Sequence, residues 1–487
     1  MITLPTEPLG LLALAAILVP FGGAAVIAAS KRASAKWLCQ GFAAATVAVI
    51  AILALSLLGD GKIGGTYELI SFGSVSILGL VVDSVSVLIA LAVITIGLLV
   101  AVYSAAYLNA GNREHPDIGR RRFYAFLLVF IGAMTGLVFS STVVGQLAFF
   151  ELTGACSWAL IGYYESPKAL RSAAKALLVT HVASLGLYVA AALLFLSTGT
   201  FALSAIADLA PGMKAVVLLA ILVAAWGKSA QLPFHMWLPD AMEAPTPVSA
   251  YLHAASMVKV GVYIFARGLM SSGGAPEIVG WVGSTMAVLT LVYGFFMYLP
   301  QVDLKRLLAY STITQLAYIL LALSLSVFGS DLAFKGAIAH IFNHAFAKTL
   351  FFLVAGALSY TAGTRLLPSL RGIVTKSPLL GVAFVCAALA ITGVPPFNGF
   401  FSKFAIFAGG FEVGAQHWAL LLLVVIALAE SVGSFAWFLK WLGHSVPGKP
   451  STTMAAAAPL PAGMKFVLVA LVVMTVVSSS IAASWLG

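Results

Sequence analysis

Apolar runs long enough to cross a bilayer core, about 20 residues each, recur along the whole chain. They fall at 8–29, 38–58, 75–104, 121–140, 143–163, 169–197, 213–235, 246–270, 279–299, 305–327, 332–360, 378–409, 416–439 and 463–486. The pattern predicts an all-α polytopic membrane protein of about 14 transmembrane helices, with no stretch left over for an extramembrane domain. Polar positions between the runs set an orientation. The loops after odd-numbered spans carry Lys31, Arg32 and Lys36; Arg113, Arg120, Arg121 and Arg122; Lys168 and Arg171; Lys305 and Arg306; Arg365, Arg371 and Lys376; and Lys440 and Lys449. Even-numbered loops are nearly bare of Lys and Arg, so the odd loops are expected in the cytoplasm and both termini outside. The loop between spans seven and eight departs from this, carrying Asp240 and Glu243 within WLPDAMEAPTP. The first run has no basic segment before it and is expected to be a retained helix rather than a cleaved signal.

Two runs are interrupted. In the seventh, Lys228 is followed by Pro233, and a proline there removes at least one helical hydrogen bond. In the twelfth, GVPPFNGFFSKF places Pro395, Pro396 and Gly399 ahead of Lys403. Irregular backbone at membrane depth must be buried in protein or line a wet cavity, as in the discontinuous helices of transporters. The two broken spans are five apart and so run in opposite directions. Spans 4–8 and 9–13 are therefore expected to be inverted five-helix repeats, dividing the chain into 1–120, 121–270, 271–440 and a last helix in 441–487.

Composition agrees with this class: 61% of residues are hydrophobic and 9% charged. The net charge of +10 lies in membrane loops and does not indicate a nucleic-acid partner. Cys39, Cys156 and Cys386 stand in separate apolar runs with no CxxC, so no disulfide framework and no zinc, iron–sulfur or haem site is indicated. No cofactor or metal is expected.

The informative residues are ionisable groups inside the spans: Asp83, Glu151, His181, Lys228, His253, Lys259, His340, His344, Lys348, Lys403 and Glu430. A lysine at a helix centre costs about 2.5–3.5 kcal/mol on insertion scales, so each needs a partner, water or a function. Some have plain structural readings. Lys175 and Lys440 lie near helix ends and snorkel, Asp83 in VVDSVS suits a helix cap, and Glu430 is either a proton group or a contact for a neighbouring protein of the same complex. His340, His344 and Lys348 recur every four residues and share one stripe of the eleventh span. Histidine changes charge near neutral pH, so such a stripe is suited to passing protons. A zinc site at His340 and His344 is the competing reading, but neither an intervening glutamate nor a third ligand is evident.

These motifs, VVDSVS, YSAAY, FFELTGACSW, KSAQLPFHMWLPDAMEAPTPVSAYLHAASMVK, DLKRLLAYSTITQLAY, HIFNHAFAKTLFFL and GVPPFNGFFSKF, cover spans 3 to 13. They resemble the antiporter-like proton-pumping subunits shared by respiratory complex I, the Mrp cation/proton antiporters and the membrane-bound group 4 hydrogenases. The resemblance implies a fourteen-helix fold with inverted repeats and a Glu151–Lys228 pair. It further implies a central relay lysine at Lys259, a relay through His340, His344 and Lys348, and a terminal group at Lys403, with His253 counted among the relay groups.

On this resemblance the chain is expected to move protons along the membrane midplane within a larger complex of a bacterial or archaeal cell membrane. It would have no redox centre of its own, and a redox reaction in hydrogenase- or complex I-type partner subunits would drive it. Its partners are other membrane subunits, paralogous antiporter-like ones included. The alternatives are an Mrp-type Na+/H+ antiporter subunit, with Na+ as a second ion, a subunit of an inorganic-carbon uptake complex, and a non-conducting structural subunit. The absence of a long lateral helix after the last span argues against the largest complex I antiporter subunit, and Lys403 argues against the paralogue with glutamate there.

Overall fold

The computed structural model describes residues 2–59, 61, 63–117 and 119–486, and these are almost entirely helical. The elements used below are α1 (Pro8–Ala29), α2 (Ala35–Gly59), β1 (Gly65–Phe72), β2 (Val75–Val82), α3 (Ser84–Tyr107), α4 (Arg121–Phe139), α5 (Val143–Ile161), α6 (Pro167–Thr198) and α7 (Pro211–Lys228). Short turns then lead to α8 (Thr246–Ala254), α9 (Met257–Met270), α10 (Glu277–Tyr298), α11 (Leu304–Ser326), α12 (Asp331–Ala362), α13 (Pro378–Thr392), α14 (Asn398–Gly414), α15 (Trp418–Ser445) and α16 (Ala462–Leu486). With α8 and α9 taken as one span, 13 helices among the described residues are long and apolar enough to cross a membrane. The twelfth run, expected to be interrupted, is divided into the shorter helices α13 and α14 on either side of Pro395 and Pro396.

One expected boundary is corrected. Residues 75–82 do not begin a helix; they form β2, antiparallel to β1, with Gly73 at φ +61 in the intervening turn. A two-residue turn with a positive φ closes such a hairpin at no side-chain cost. Asp83 then starts α3 through a capping box. Its carboxylate accepts from the Ser86 amide at 2.8 Å, and the Ser86 hydroxyl accepts from the Asp83 amide at 2.9 Å. A second departure is the interruption at Ala255–Ser256, which divides the expected eighth span into α8 and α9.

The spans sort into centre and periphery. The apolar stretches of α8–α9, α11 and α12 are wholly buried within the protein, whereas only about a third of those of α1, α2, α6, α15 and α16 is buried. His253, Lys259, Lys305, His340, His344 and Lys348 on these central helices are themselves buried, while Lys335 near the start of α12 stays exposed and pairs with Asp331. Loops are tied across the ends by charge: Arg365 bonds Asp303 at 2.7 Å and Glu114 at 2.9 Å, and Arg120 and Arg122 hold Glu165.

Lys305, counted above among the loop charges, is buried at the start of α11. Its Nζ donates to the carbonyls of Met242 and Ala244 at 2.8 Å each, fixing the WLPDAMEAPTP segment. Removing one partner of a buried hydrogen bond costs about 1–3 kcal/mol. Lys305→Ala is therefore expected to lower the unfolding midpoint of the purified protein in a detergent melt, while Arg306→Ala on the exposed side leaves it unchanged.

Candidate functional site

α7 ends at Lys228, and the backbone turns through Ala230 at φ +49, a left-handed conformation that an L-residue adopts only at a cost. Neighbouring helices satisfy the groups this break frees. Gln231 Nε2 donates to the carbonyls of Ser229 (2.7 Å) and Ile313 on α11 (3.2 Å), and the Leu232 amide donates to Thr290 Oγ1 on α10 at 3.3 Å. Trp237 Nε1 donates to the Gly227 carbonyl at 3.0 Å. Lys228 thus sits in the last turn of its helix, where the carbonyl end of the dipole favours a cation.

Its Nζ donates to Thr153 Oγ1 at 3.2 Å and lies 4.4 Å from the centroid of the Phe150 ring. The expected direct pair with Glu151 is not formed. Glu151 instead meets His181 Nδ1 at 3.0 Å and accepts from Ser184 on α6. The two side chains of that pair keep 28% (Glu151) and 54% (His181) of their surface exposed, so the acid faces the flank of the chain rather than its centre.

Ser229 Oγ donates to the Val258 carbonyl at 2.9 Å, joining the end of α7 to the start of α9, which carries Lys259. Gly261 permits this approach, since a Cβ there would lie 2.3 Å from the Ala225 carbonyl. Lys259 is buried in the first turn of α9, and its Nζ has no hydrogen-bond partner among the described residues. His253, in the last turn of α8, is also buried with both ring nitrogens unpartnered among the described residues. Its ring stacks on Phe352 at 5.0 Å.

On α12 the stripe is in place. His340 Nδ1 meets Ser402 Oγ of α14 at 2.8 Å, and its Nε2 meets Gln315 Oε1 of α11 at 3.0 Å. The His344 ring lies 5.8 Å from that of His340, and its nitrogens have no partner among the described residues. Lys348 Nζ donates to Ser311 Oγ at 2.8 Å. Lys403, on α14 past the Pro395–Pro396 turn, donates to Ser431 Oγ at 3.1 Å and lies 4.7 Å from the Tyr318 ring centroid.

The lysines and the α12 stripe therefore sit in the protein interior, and Lys228, His340, Lys348 and Lys403 are held by hydroxyl and amide partners that the charge pattern did not name: Thr153, Ser311, Gln315, Ser402 and Ser431. A signal for three of the groups on α11 was present, because Ser311, Gln315 and Tyr318 share one helical face within STITQLAY.

Gly393 also bears on Lys403. It holds φ +85, and a Cβ there would stand 3.0 Å from Lys403 Cδ. Gly393→Ala strains the backbone and displaces the lysine, so it is expected to lower the unfolding midpoint of the purified protein in a detergent melt. Gly443→Ala, at a helical site where a Cβ meets nothing within 4 Å, leaves that midpoint unchanged.

Comparison with known proteins is decisive at the level of family. The model of the NADH:quinone oxidoreductase/Mrp antiporter transmembrane family matches residues 140–429, and that of the N-terminus of complex I chain 5 matches residues 70–124. The chain belongs to this family. It is 36% identical over 390 residues to a Na(+)/H(+) antiporter subunit of Alkalihalophilus pseudofirmus, covering 76% of this chain and 48% of that protein. It is 35% identical to the corresponding Na(+)/H(+) antiporter protein of Staphylococcus aureus, covering 75% and 47%. It thus spans about half the length of these relatives.

Among solved structures of the family, that of the Mrp complex from Dietzia superposes with TM-score 0.81 and 31% identity, over 96% of this chain and 50% of that one. A chain of the archaeal membrane-bound sulfane sulfur reductase superposes with TM-score 0.84 over 97% and 95%, at 23% identity, a likeness of fold.

Proposed function

We propose that the chain is a proton-translocating, antiporter-like subunit of a multi-subunit membrane complex. Protons would pass from Glu151 and Lys228 to Lys259, through His340, His344 and Lys348, to Lys403, with His253 beside the path. The observation that carries this reading is the burial of Lys228, Lys259, Lys348 and Lys403 together in one membrane protein. None of the four meets a carboxylate within 4.0 Å among the described residues. Four unpaired buried lysines cost too much to serve packing alone. When the Glu151 carboxylate approaches Lys228 it stabilises the ammonium; when it swings to His181 and Ser184, as here, Lys228 is free to pass its proton inward. Water completes the gaps between side chains on different helices.

The half-exposed Glu151–His181 pair supports a neighbouring membrane protein on the α5–α6 flank, because a carboxylate at mid-span does not face lipid alone. Inverted repeats over 121–270 and 271–440 would place the two breaks as half-channels to opposite sides. Basic loops would lie in the cytoplasm.

The names of the relatives favour cation exchange as the driving reaction over a redox reaction in partner subunits. Purifying the native complex through a tag on this chain, with its subunits identified and its visible spectrum recorded, decides between them. Membrane companions without a chromophore support exchange, and iron–sulfur absorption with an oxidoreductase partner supports redox drive. A chain that purifies with no companion overturns the complex reading.

A further inference from the structure

Glu430 is the only Asp or Glu among the described residues whose burial matches that of the relay lysines. It lies on α15, otherwise a peripheral helix. It forms no ion pair within 4.0 Å among the described residues; instead hydroxyls hold it on two sides. Tyr318 donates to one carboxylate oxygen and Ser434 to the other. Lys403 Nζ sits over the Tyr318 ring and bonds Ser431, the residue next to Glu430. On the other side, Tyr298 is bonded to Thr314 and lies beside Ser434 and Ser311, and Ser311 is the partner of Lys348 Nζ at 2.8 Å. The opposite end of the chain has the same parts: Lys228 over the Phe150 ring, with Glu151 next in sequence held by other groups.

We infer that Glu430 is a proton-loading site that joins Lys348 to Lys403 through Ser311, Tyr298 and Tyr318. The inference deepens the proposed function and rests on it. A hydroxyl accepts one proton while releasing another, so each transfer balances. The Lys348 ammonium gives a proton to Ser311, and Ser311 gives its own to Tyr298. Tyr298, whose hydroxyl also bonds the Glu430 carboxylate, gives its own to that carboxylate, which becomes a neutral acid. The acid then passes a proton through the Tyr318 hydroxyl and the Ser431 hydroxyl beside it to the neutral Lys403 amine. The hydroxyls end reoriented and chemically unchanged. An acid placed only to anchor Lys403 would meet its ammonium directly; here an aromatic ring and a hydroxyl stand between them.

The test uses the whole complex reconstituted in liposomes, comparing Glu430→Gln, Glu430→Asp and Tyr298→Phe with Lys228→Ala. Glu430→Gln is expected to lower proton flux on the order of 100-fold, the scale of a lost proton-transfer group, with Asp restoring part of it. In pH-difference infrared spectra, the carbonyl band of a buried protonated acid should vanish in Glu430→Gln and persist in Lys228→Ala. Full flux in Glu430→Gln alongside a dead Lys228→Ala overturns this inference alone, as does an unchanged infrared band. Full flux in both overturns the relay itself. If Glu430→Gln fails to assemble, Tyr298→Phe decides, and unaltered flux there overturns the inference.

Discussion

Lys259→Met is expected to abolish proton translocation while raising the thermal stability of the assembled protein. Lys259 is buried in the first turn of α9, and its Nζ has no hydrogen-bond partner among the described residues. A buried polar group without a partner costs about 1–3 kcal/mol, and methionine fills a similar volume without that cost. The helix start offers no compensation, since its amide end disfavours a cation. The same substitution removes the proposed central proton carrier and should lower flux on the order of 100-fold or more. Paired flux and thermal-melt measurements check both signs. A structural lysine would show the opposite pattern, with stability lost and flux retained in whatever assembles.

The second large effect concerns folding. Asp83→Ala is expected to destabilise the protein by about 3 kcal/mol, the lower end of the range for stripping one partner from a buried ion pair. Arg267 is almost wholly buried. It donates to both Asp83 oxygens, at 3.1 Å through one nitrogen and more closely through the other, and to Tyr263 Oη at 2.8 Å. Without Asp83 that guanidinium keeps only the tyrosine, and α3 loses its cap. The Asp83 side chain retains 30% exposure, which is why the lower end applies.

Burial pushes the Asp83 carboxyl up, but the Arg267 guanidinium and the Ser86 bonds outweigh it and hold the group below its ordinary value. A depressed folded value means the stabilisation is present at neutral pH and fades as pH falls through it. The acid limb of the wild-type stability curve should therefore flatten in Asp83→Ala, as followed by melts across acidic pH.

Much of the architecture was legible because lipid imposes strong constraints. The lengths of apolar runs and the prolines at 233, 395 and 396 left clear marks. The hairpin was not legible, since VSILGLVV is a continuous apolar run that reads equally as strand or buried helix. Nor was the interruption at Ala255–Ser256, which has no proline or glycine. There the Ala255 and Ser256 amides both turn back to the Tyr251 carbonyl, with Ser256 Oγ on the same oxygen at 2.8 Å.

At the site, the lysines and histidines stood out because a charge in a span is costly. Their hydroxyl partners did not, because serine and threonine in a span usually bond their own helix. Thr349 bonds the Ala345 carbonyl and Ser104 that of Val100 in just this way. Only tertiary packing distinguishes Ser311 and Ser402, which turn to Lys348 and His340. Glu430 was visible as a buried acid, but the tyrosines beside it, Tyr298 and Tyr318, come from two other helices, α10 and α11.

The relay is tested most directly by one flux measurement. Proteoliposomes containing the intact complex, with a pH-sensitive dye inside and a sodium gradient imposed, report proton movement for wild type and Lys228→Ala at matched protein content. The proposed relay requires proton movement in the wild type and none in the variant, with the same subunits present in both. Equal proton movement in the two would contradict it.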